Sequence, residues 1–338
     1  MKTTVFLGTV VAGAVFAGIA AAGTLDDVKA RGVLNCGVNT GLTGFGAPDA
    51  NGNYQGFDVD LCKAVAAAVL GDQSKVKYAP LTSETRFTAL ASGEVDMLVR
   101  NSTWTYSRDT DLKLDFVAVN YYDGQGFMVK KALGVSSAKE LDGATICIQT
   151  GTTTELNLAD FFKANNIKYT PVTIQDDSEG VRQFLAGACD AYTTDASGLA
   201  AVRATMPKPD DYIILPEIIS KEPLGPAVRH GDNNWGDIVR WTYFALVAAE
   251  EKGITKANID EVAKSTQDPE VKRLLGLDGD MGKMMGLDNE WAKRAIAANG
   301  NYGEIFEANI GASTPIKLAR GLNALWTQGG LQYSPPFR

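Results

Sequence analysis

Short runs of β-branched and other apolar residues alternate with helical patterns along most of the chain. Alternation of this kind is typical of α/β folds whose sheets are largely parallel. After the first apolar run, apolar side chains recur at i, i+4 spacing until Gly71, which predicts a helix packed on a sheet. We predict strands at 33–38, 75–81, 95–100, 145–149, 169–174, 191–195 and 212–216.

One element of this pattern occurs twice. The sequences FTALASGEVDMLVR at 87–100 and FLAGACDAYTTD at 184–195 each contain, in this order, an apolar helix end, a glycine, an aspartate and a strand. The repeat predicts two similar α/β lobes. Its strands end in Arg100 and Asn101 in one lobe and in Asp195 in the other. Because ligands bind beyond the carboxyl ends of strands in open parallel sheets, we expect a small-molecule cleft between the lobes.

The order of the elements predicts a discontinuous first lobe. We place lobe 1 at 23–125 and 229–338, lobe 2 at 130–223, and the crossing segments at about 124–130 and 223–229. Beyond residue 231 the pattern changes to amphipathic helices, followed by a tail after Ala312. These helices are predicted at 238–251, 257–265, 269–275 and 290–298.

The first 22 residues have the pattern of an export signal. A single charge at Lys2 is followed by an apolar run at 5–17 and by three alanines at 20–22. The alternative is a membrane anchor, but its glycines and alanines make this stretch only weakly apolar. We therefore expect cleavage near Ala22 and a periplasmic location.

The composition excludes several classes of protein. The chain has 338 residues, 45% apolar and 21% charged, which is long enough for two folded domains. Its formal net charge of −8 has the wrong sign for holding a phosphate backbone, which argues against nucleic acid as a partner. His230 is the only histidine, so a multi-histidine zinc site cannot be built. The phosphate-loop, dinucleotide and zinc-protease motifs are also lacking, and we expect neither a cofactor nor a metal.

Four cysteines without metal-binding or redox spacing indicate disulfides in an exported protein. Three pairings are possible, and four buried free thiols are the alternative. We favour Cys36 with Cys62 and Cys147 with Cys189, because each pair then lies within one lobe.

The stretch GFDVDLCKAVAAAV at 56–69 resembles the signature of extracytoplasmic solute-binding proteins of ABC importers, in the polar-amino-acid family (family 3). The resemblance covers about residues 25–311, and within the family the chain is most similar to the general L-amino-acid binders. It implies a two-lobed fold of the periplasmic-binding-protein type, with two parallel-rich sheets and a ligand cleft between them. The other matching segments are NSTWTYSRDTDLKLDF from 101, LDGATICIQTGTTTE from 141 and NGNYGEIFEANIG from 299.

A receptor for a free amino acid needs two parallel hydrogen-bond donors for the ligand carboxylate and a fixed anion for the ligand ammonium. An arginine matches a carboxylate with two parallel charge-assisted hydrogen bonds, and the resemblance implies this role for Arg108, with Arg100 and Arg86 as weaker candidates. It implies that Asp195 binds the ammonium. The alternatives are a surface ion pair of Arg108 with Asp109 or Asp111 and an N-cap role for Asp195, which one oxygen could fill while the other faces the ligand.

Further ligand contacts are implied on both lobes. Thr152 to Glu155 has capping-box spacing, which predicts a helix start with free N–H groups facing the cleft. By resemblance, Thr152 and Thr153 donate to the ligand carboxylate, Asn101 and Thr103 hold the zwitterion from lobe 1, and Asn39 and Ser83 line the side-chain pocket beside Leu42. The small neutral wall at 39–42 suits a broad ligand range.

The resemblance implies a monomeric periplasmic receptor that binds free L-amino acids, polar and acidic ones included, and delivers them to an ABC permease in the inner membrane. An enzyme on the same scaffold, such as a dehydratase, would need an additional cleft acid, for which Glu84 and Glu155 are candidates. A ligand-sensing input subunit is the third possibility.

Overall fold

Two five-stranded sheets of the same design form the two halves of the protein. The computed structural model describes residues 23–338, so the export signal predicted at 1–22 lies outside the described residues. The strands are β1 (Leu34–Asn39), β2 (Ala47–Pro48), β3 (Tyr54–Gln55), β4 (Val76–Leu81), β5 (Met97–Leu98), β6 (Leu114–Phe116), β7 (Tyr121–Asp123), β8 (Gln125–Lys130), β9 (Ala144–Gln149), β10 (Tyr169–Ile174), β11 (Ala191–Asp195), β12 (Tyr212–Ile214), β13 (Glu222–Leu224) and β14 (Ala227–Arg229).

Each sheet combines three parallel strands with a returning antiparallel strand. The first has the order β4-β1-β5-β14-β6, in which β14 runs antiparallel to β5. The second has the order β10-β9-β11-β8-β12, in which β8 runs antiparallel to β11. In both, the antiparallel strand is the one that arrives from the other half of the molecule. The predicted α/β fold with two parallel-rich sheets is confirmed, and all seven predicted strands are present.

The halves are joined by an antiparallel ribbon of β7 and β13, in which Tyr122 lies opposite Pro223. We call residues 23–120 and 225–338 lobe 1, and residues 124–220 lobe 2. The crossing segment expected at 124–130 coincides with β8 except for its first residue, and the one expected at 223–229 runs from the end of β13 into β14, because the chain joins each sheet directly after the ribbon. The division into lobes that move as units stays a prediction.

Helices cover the faces of both sheets. Helix α2 follows the predicted i, i+4 pattern and ends at Gly71, whose φ of 73° is left-handed. Among residues 23–338, no helix has both the length and the apolar character needed to cross a bilayer. The helices are α1 (Thr24–Arg31), α2 (Phe57–Leu70), α3 (Arg86–Ser92), α4 (Tyr106–Thr110), α5 (Thr153–Ala164), α6 (Asp177–Leu185), α7 (Ala196–Thr205), α8 (Asn233–Glu251), α9 (Ile259–Ser265), α10 (Pro269–Leu274), α11 (Met281–Met284), α12 (Trp291–Asn299) and α13 (Tyr302–Asn309).

Both favoured disulfides are formed. Cys36 of β1 is bonded to Cys62 of α2, and Cys147 of β9 is bonded to Cys189, just before β11. They close loops of 26 and 42 residues. By loop-closure entropy, each stabilises its lobe by about 3 to 4 kcal/mol.

Candidate ligand-binding cleft

A small cavity lies between the two lobes. Its volume is about 20 Å³, roughly room for one water molecule, so the two lobes are close together in this conformation. Its lining residues are Ser83, Arg86, Arg100, Asn101 and Thr103 from lobe 1, and Gln149, Thr152, Thr153, Thr154, Thr194 and Asp195 from lobe 2.

The lining follows from the way the two sheets face each other. Arg100 and Asn101 come shortly after β5, and Asp195 is the last residue of β11. The Arg100 side chain is anchored by Nε, which donates to the main-chain oxygen of Leu81 at 2.7 Å. The polar strand ends of the repeated pattern therefore meet in one cleft.

Asp195 is a buried acid that the protein leaves without a hydrogen bond. Only 6% of the residue is exposed, and its carboxylate has no hydrogen-bond partner in the part of the chain described. The alternative of an N-cap role on α7 is wrong, because the Asp195 side chain makes no capping hydrogen bond and Asp123 of the ribbon accepts from the Ser197 main-chain N–H at 3.4 Å instead. Burial raises the pKa of Asp195 well above its usual value, and the charges of Asp123 and Glu222 raise it further. A cation brought to this carboxylate would relieve that cost.

Arg108 lies inside the protein rather than on its surface. It is 7% exposed, and Nη1 donates to the main-chain oxygen of Thr103 at 2.9 Å. Its guanidinium lies over the Phe87 ring, 4.8 Å from the centroid. The alternative of a surface ion pair with Asp109 or Asp111 is therefore wrong. Burial lowers the pKa of Arg108 to about 10, which leaves it charged at neutral pH.

Arg86 and Arg100 line the small cavity directly. Arg108 is not among the lining residues, but its Nη1 donates to the carbonyl oxygen of Thr103, which is one of them. Arg86 Nη1 donates to Ser102 Oγ at 3.1 Å, whereas its buried Nε has no hydrogen-bond partner among the described residues. Burial lowers the pKa of Arg86, and the positive charges of Arg100 and Arg108 lower it further. Three cations packed this closely favour an anion beside them.

The start of α5 closes the cavity from lobe 2. Thr152 Oγ1 accepts from the Glu155 main-chain N–H at 3.2 Å, as its spacing predicts. The Glu155 carboxylate accepts from Gly151 rather than from Thr152, at 3.3 Å, so only half of the capping box forms. The free N–H groups at this helix start suit an anionic ligand group.

Glu222 of β13 is a residue that sequence reasoning missed. It is 1% exposed and accepts hydrogen bonds from both lobes. No local motif surrounds it, because its partners lie up to 119 positions away along the chain. Its donors are Thr103 Oγ1 at 2.5 Å, Thr153 Oγ1 at 2.8 Å, Asn157 Nδ2 at 2.7 Å and Ser220 Oγ at 2.6 Å.

The expected side-chain pocket is only partly assembled around the cavity. Asn39 Nδ2 donates to Asn101 Oδ1 at 3.0 Å, and Asn39 Oδ1 accepts from the Gly41 and Leu42 main-chain N–H groups. Asn39 therefore shapes the loop, and Leu42 lines a neighbouring crevice instead. Ser83 lines the cavity with a buried Oγ that has no hydrogen-bond partner within residues 23–338.

Asp58 of the GFDVD stretch supports the cleft from behind. Its Oδ2 accepts from the Asn101 main-chain N–H at 3.0 Å, and its Oδ1 accepts from Asn120 Nδ2 at 3.1 Å. Asn101 has a φ of 34°, on the positive side that residues other than glycine seldom adopt. Asp58 therefore holds the strand end in the conformation that directs Asn101 to the cavity.

Burial of Asp58 makes one part of the stability of the protein depend on pH. Burial raises the pKa of Asp58 to about 6, although its hydrogen bonds and Arg100 oppose the rise. The folded form therefore binds more protons than the unfolded chain between about pH 4 and 6, and this contribution to stability falls as the pH rises. In Asp58→Asn this group no longer titrates. The free energy of unfolding of the variant, minus that of wild type, should therefore rise by about 1 to 3 kcal/mol from pH 4 to pH 7.

Urea denaturation at several pH values measures this difference. The exposed Asp210→Asn serves as the matched control. An identical pH profile for Asp58→Asn and wild type would show that the buried carboxyl does not titrate abnormally.

Two lobes closing on a polar cavity define the class of two-lobed ligand-binding proteins. The chain belongs to the bacterial extracellular solute-binding proteins, family 3, whose sequence profile matches residues 34–275. The family expected from the sequence is confirmed.

Full-length relatives extend the match. The chain is 78% identical to the glutamate/glutamine/aspartate/asparagine-binding protein BztA of Rhodobacter capsulatus over 338 residues, 100% of both chains. It is 62% identical to the general L-amino acid-binding periplasmic protein AapJ of Rhizobium johnstonii over 96% of each chain. A solved ABC transporter periplasmic binding protein from Brucella ovis, with glutathione bound, has 57% identity and a TM-score of 0.91, covering 94% of this chain and 100% of its own.

Proposed function

We propose that this protein is a periplasmic receptor that captures free L-amino acids and delivers them to an ABC permease. The observation that carries the proposal is Asp195, a buried carboxylate without a hydrogen bond that lines one cavity with the buried Arg86 and Arg100 of the opposite lobe. An amino acid zwitterion has the two complementary poles. Membership of the extracellular solute-binding family and the amino-acid-binding relatives support the same function.

The ligand would be gripped by both lobes at once. In this proposal the ammonium binds Asp195 and Asn101, and the carboxylate binds Arg108 with the main-chain N–H groups of Thr103, Thr152 and Thr153, whose hydroxyls already donate within the protein. The side chain passes Ser83 toward Leu42 and the loop that Asn39 holds. Because these contacts exist together only in the shut form, the ligand favours that form by the free-energy difference, and the permease recognises its shape.

The proposal includes no chemical step and no second subunit. Neither Glu84 nor Glu155, the acids that a dehydratase-like reaction could use, is among the residues that line the cavity. All groups assigned to the ligand come from one chain, so a monomer is sufficient.

A thermal-shift screen of the mature protein against the twenty amino acids tests this function. At 100 times its dissociation constant, a ligand adds about 2.7 kcal/mol of apparent stability, so glutamate, glutamine, aspartate and asparagine should raise Tm clearly. Asp195→Asn is the variant that should lose the shifts. If no amino acid shifts the wild-type protein, the proposed function is wrong.

A crevice beside the cleft favours a second class of ligand. Its volume is about 360 Å³, and it lies between the loop at 41–43 of lobe 1 and helices α6 and α7 of lobe 2. Arg182 on its wall is exposed, and its guanidinium forms no ion pair with any residue described. The relative from Brucella ovis holds glutathione, whose γ-glutamyl end carries the same zwitterion as an amino acid. We therefore propose that γ-glutamyl peptides also bind, with the distal carboxylate near Arg182.

Replacing Arg182 separates the two ligand classes. We expect Arg182→Ala to weaken glutathione binding about fivefold, or about 1 kcal/mol for an exposed ion pair, and to leave glutamine binding unchanged. Calorimetric titration measures both ligands, with Arg203→Ala on α7 as the matched control. Equal affinities of Arg182→Ala and wild type for glutathione, or no binding of glutathione to a protein that binds glutamine, would contradict this assignment.

A further inference from the structure

The tail of the chain, residues 312–338, is fixed to lobe 1. Arg320 donates through Nη1 and Nη2 to the two carboxylate oxygens of Glu250 in α8, at 3.0 and 3.1 Å. Near the end of the tail Phe337 is 3% exposed, and its ring lies 5.2 Å from that of Trp241 and 6.5 Å from that of Trp291. The tail is therefore part of the packed core of this lobe.

Between these two anchors the tail holds the ribbon. Asn323, which is 3% exposed, accepts from the Tyr122 main-chain N–H at 2.7 Å and donates to the Tyr122 carbonyl oxygen at 3.1 Å. One side chain thus satisfies both outward main-chain groups of Tyr122, as a neighbouring strand would. These groups point away from Pro223, the residue opposite Tyr122 on β13.

Lobe 1 holds the chain up to Tyr122 and no further. Just before β7, Tyr243 Oη lies 3.1 Å from the Val119 carbonyl oxygen and also contacts Gln332 Oε1 of the tail, and Tyr302 Oη donates to the Asn120 carbonyl oxygen at 2.9 Å. Asn323 adds the next attachment, at Tyr122.

The following residues are bonded to lobe 2. Asp123 accepts from the main-chain N–H and the hydroxyl of Ser197 in α7. The Gly124 carbonyl oxygen accepts from the Ala196 main-chain N–H at 2.8 Å. On this crossing strand, the attachments to lobe 1 therefore end at Tyr122 and those to lobe 2 begin at Asp123.

We infer that Asn323 is a positioning residue for lobe closure, which holds Tyr122 on lobe 1 and so places the bend of this crossing strand between Tyr122 and Asp123. The inference rests on the proposed function, because closure matters only for a ligand that both lobes grip.

A two-stranded ribbon is only marginally stable by itself, and its outer edge would otherwise be open to water. With Asn323 in place, Tyr122 is already ordered when the lobes are apart. Without it, ligand-driven closure must also order this strand, which lowers affinity. The loss should fall mainly on the dissociation rate, since most affinity differences between related complexes do.

Asn323→Ala tests the inference in the full-length mature protein, with Gln328→Ala as the control, since Gln328 lies in the same tail and its side chain makes no hydrogen bond with the described residues. Hydrogen exchange of the Tyr122 amide should become at least about tenfold faster in Asn323→Ala. The dissociation constant for glutamine should rise about fivefold, about 1 kcal/mol, mostly through faster release in stopped-flow experiments. Gln328→Ala should match wild type in both measurements.

Two results would overturn the inference. One is an unchanged exchange rate of the Tyr122 amide in Asn323→Ala. The other is faster exchange with glutamine affinity and release rate within twofold of wild type, which would make the contact merely structural. If wild type itself binds no amino acid, the proposed function fails instead, and the exchange measurement, which needs no ligand, still decides whether Asn323 holds the ribbon.

Discussion

Replacing Asp195 by asparagine is expected to abolish high-affinity amino acid binding without destabilising the unliganded protein. The amide fills the same space but supplies no charge to oppose the ligand ammonium. Removing one partner of a buried charge pair costs about 2 to 5 kcal/mol, or roughly 30-fold to several-thousand-fold in affinity. Because burial raises the pKa of Asp195 in the unliganded protein, the same substitution removes an unfavourable buried charge, so the free energy of unfolding should stay equal or rise.

The Asp195 carboxyl also makes the affinity for amino acids depend on pH. An ammonium beside Asp195 lowers its pKa, so binding releases a proton wherever the unliganded group is protonated, and affinity falls as the pH falls through that pKa. Calorimetry in two buffers of different ionisation enthalpy measures the proton release, and urea denaturation measures stability. The exposed Asp211→Asn is the control. An affinity of Asp195→Asn within threefold of wild type would remove Asp195 from the site.

Replacing Arg108 by alanine is expected to cause a loss of the same size, about 2 to 5 kcal/mol, by leaving the ligand carboxylate without its donor fork. Arg108 is suited to this task because its own position is fixed. Nη1 is bonded to the Thr103 carbonyl oxygen, and the guanidinium plane rests on Phe87. Its side chain therefore loses little further conformational entropy when its remaining N–H groups bind the ligand carboxylate.

Arg108→Lys separates geometry from charge. Lysine keeps the positive charge but cannot form two parallel hydrogen bonds, so affinity should fall by about tenfold or more. Arg86→Lys is the matched variant, because Arg86 rests on the same Phe87 ring and lines the cavity. If Arg86→Lys loses binding in calorimetry and Arg108→Lys does not, the carboxylate role belongs to Arg86.

Local pattern predicted much of the architecture. Helix α2 follows from the spacing of its apolar residues, and the strands at the centre of both sheets follow from short apolar runs, because most of their residues are buried. The strand ends at Arg100 and Asp195 were placed together by a repeat of about a dozen residues, since similar lobes present similar edges. The short strands β6, β7, β13 and β14 carry too few residues for any periodicity to mark them.

Side-chain partners were much less predictable. Asn39 was assigned to the ligand pocket, yet both polar groups of its amide are used within the protein. A helix cap was the alternative role for Asp195, but Asp123 of the ribbon accepts from the Ser197 N–H at the start of that helix. In each position the residue type indicated a hydrogen bond but not its partner, which for Asn39 lies both in its own loop and at Asn101.

The sequence alone was enough for the α/β class with two parallel-rich sheets and for the polar strand ends, Arg100 and Asp195, that line the cavity, and it favoured the pairing of the cysteines that the structure shows. Only the tertiary structure showed that Glu222 joins the hydroxyls of both lobes, and that Asn323 holds the ribbon from a distance of 201 positions along the chain. The reason is physical. Periodicity and motifs report the burial that each segment needs locally, whereas these two contacts exist only once the lobes have closed and the tail has packed, so no short stretch of sequence records them.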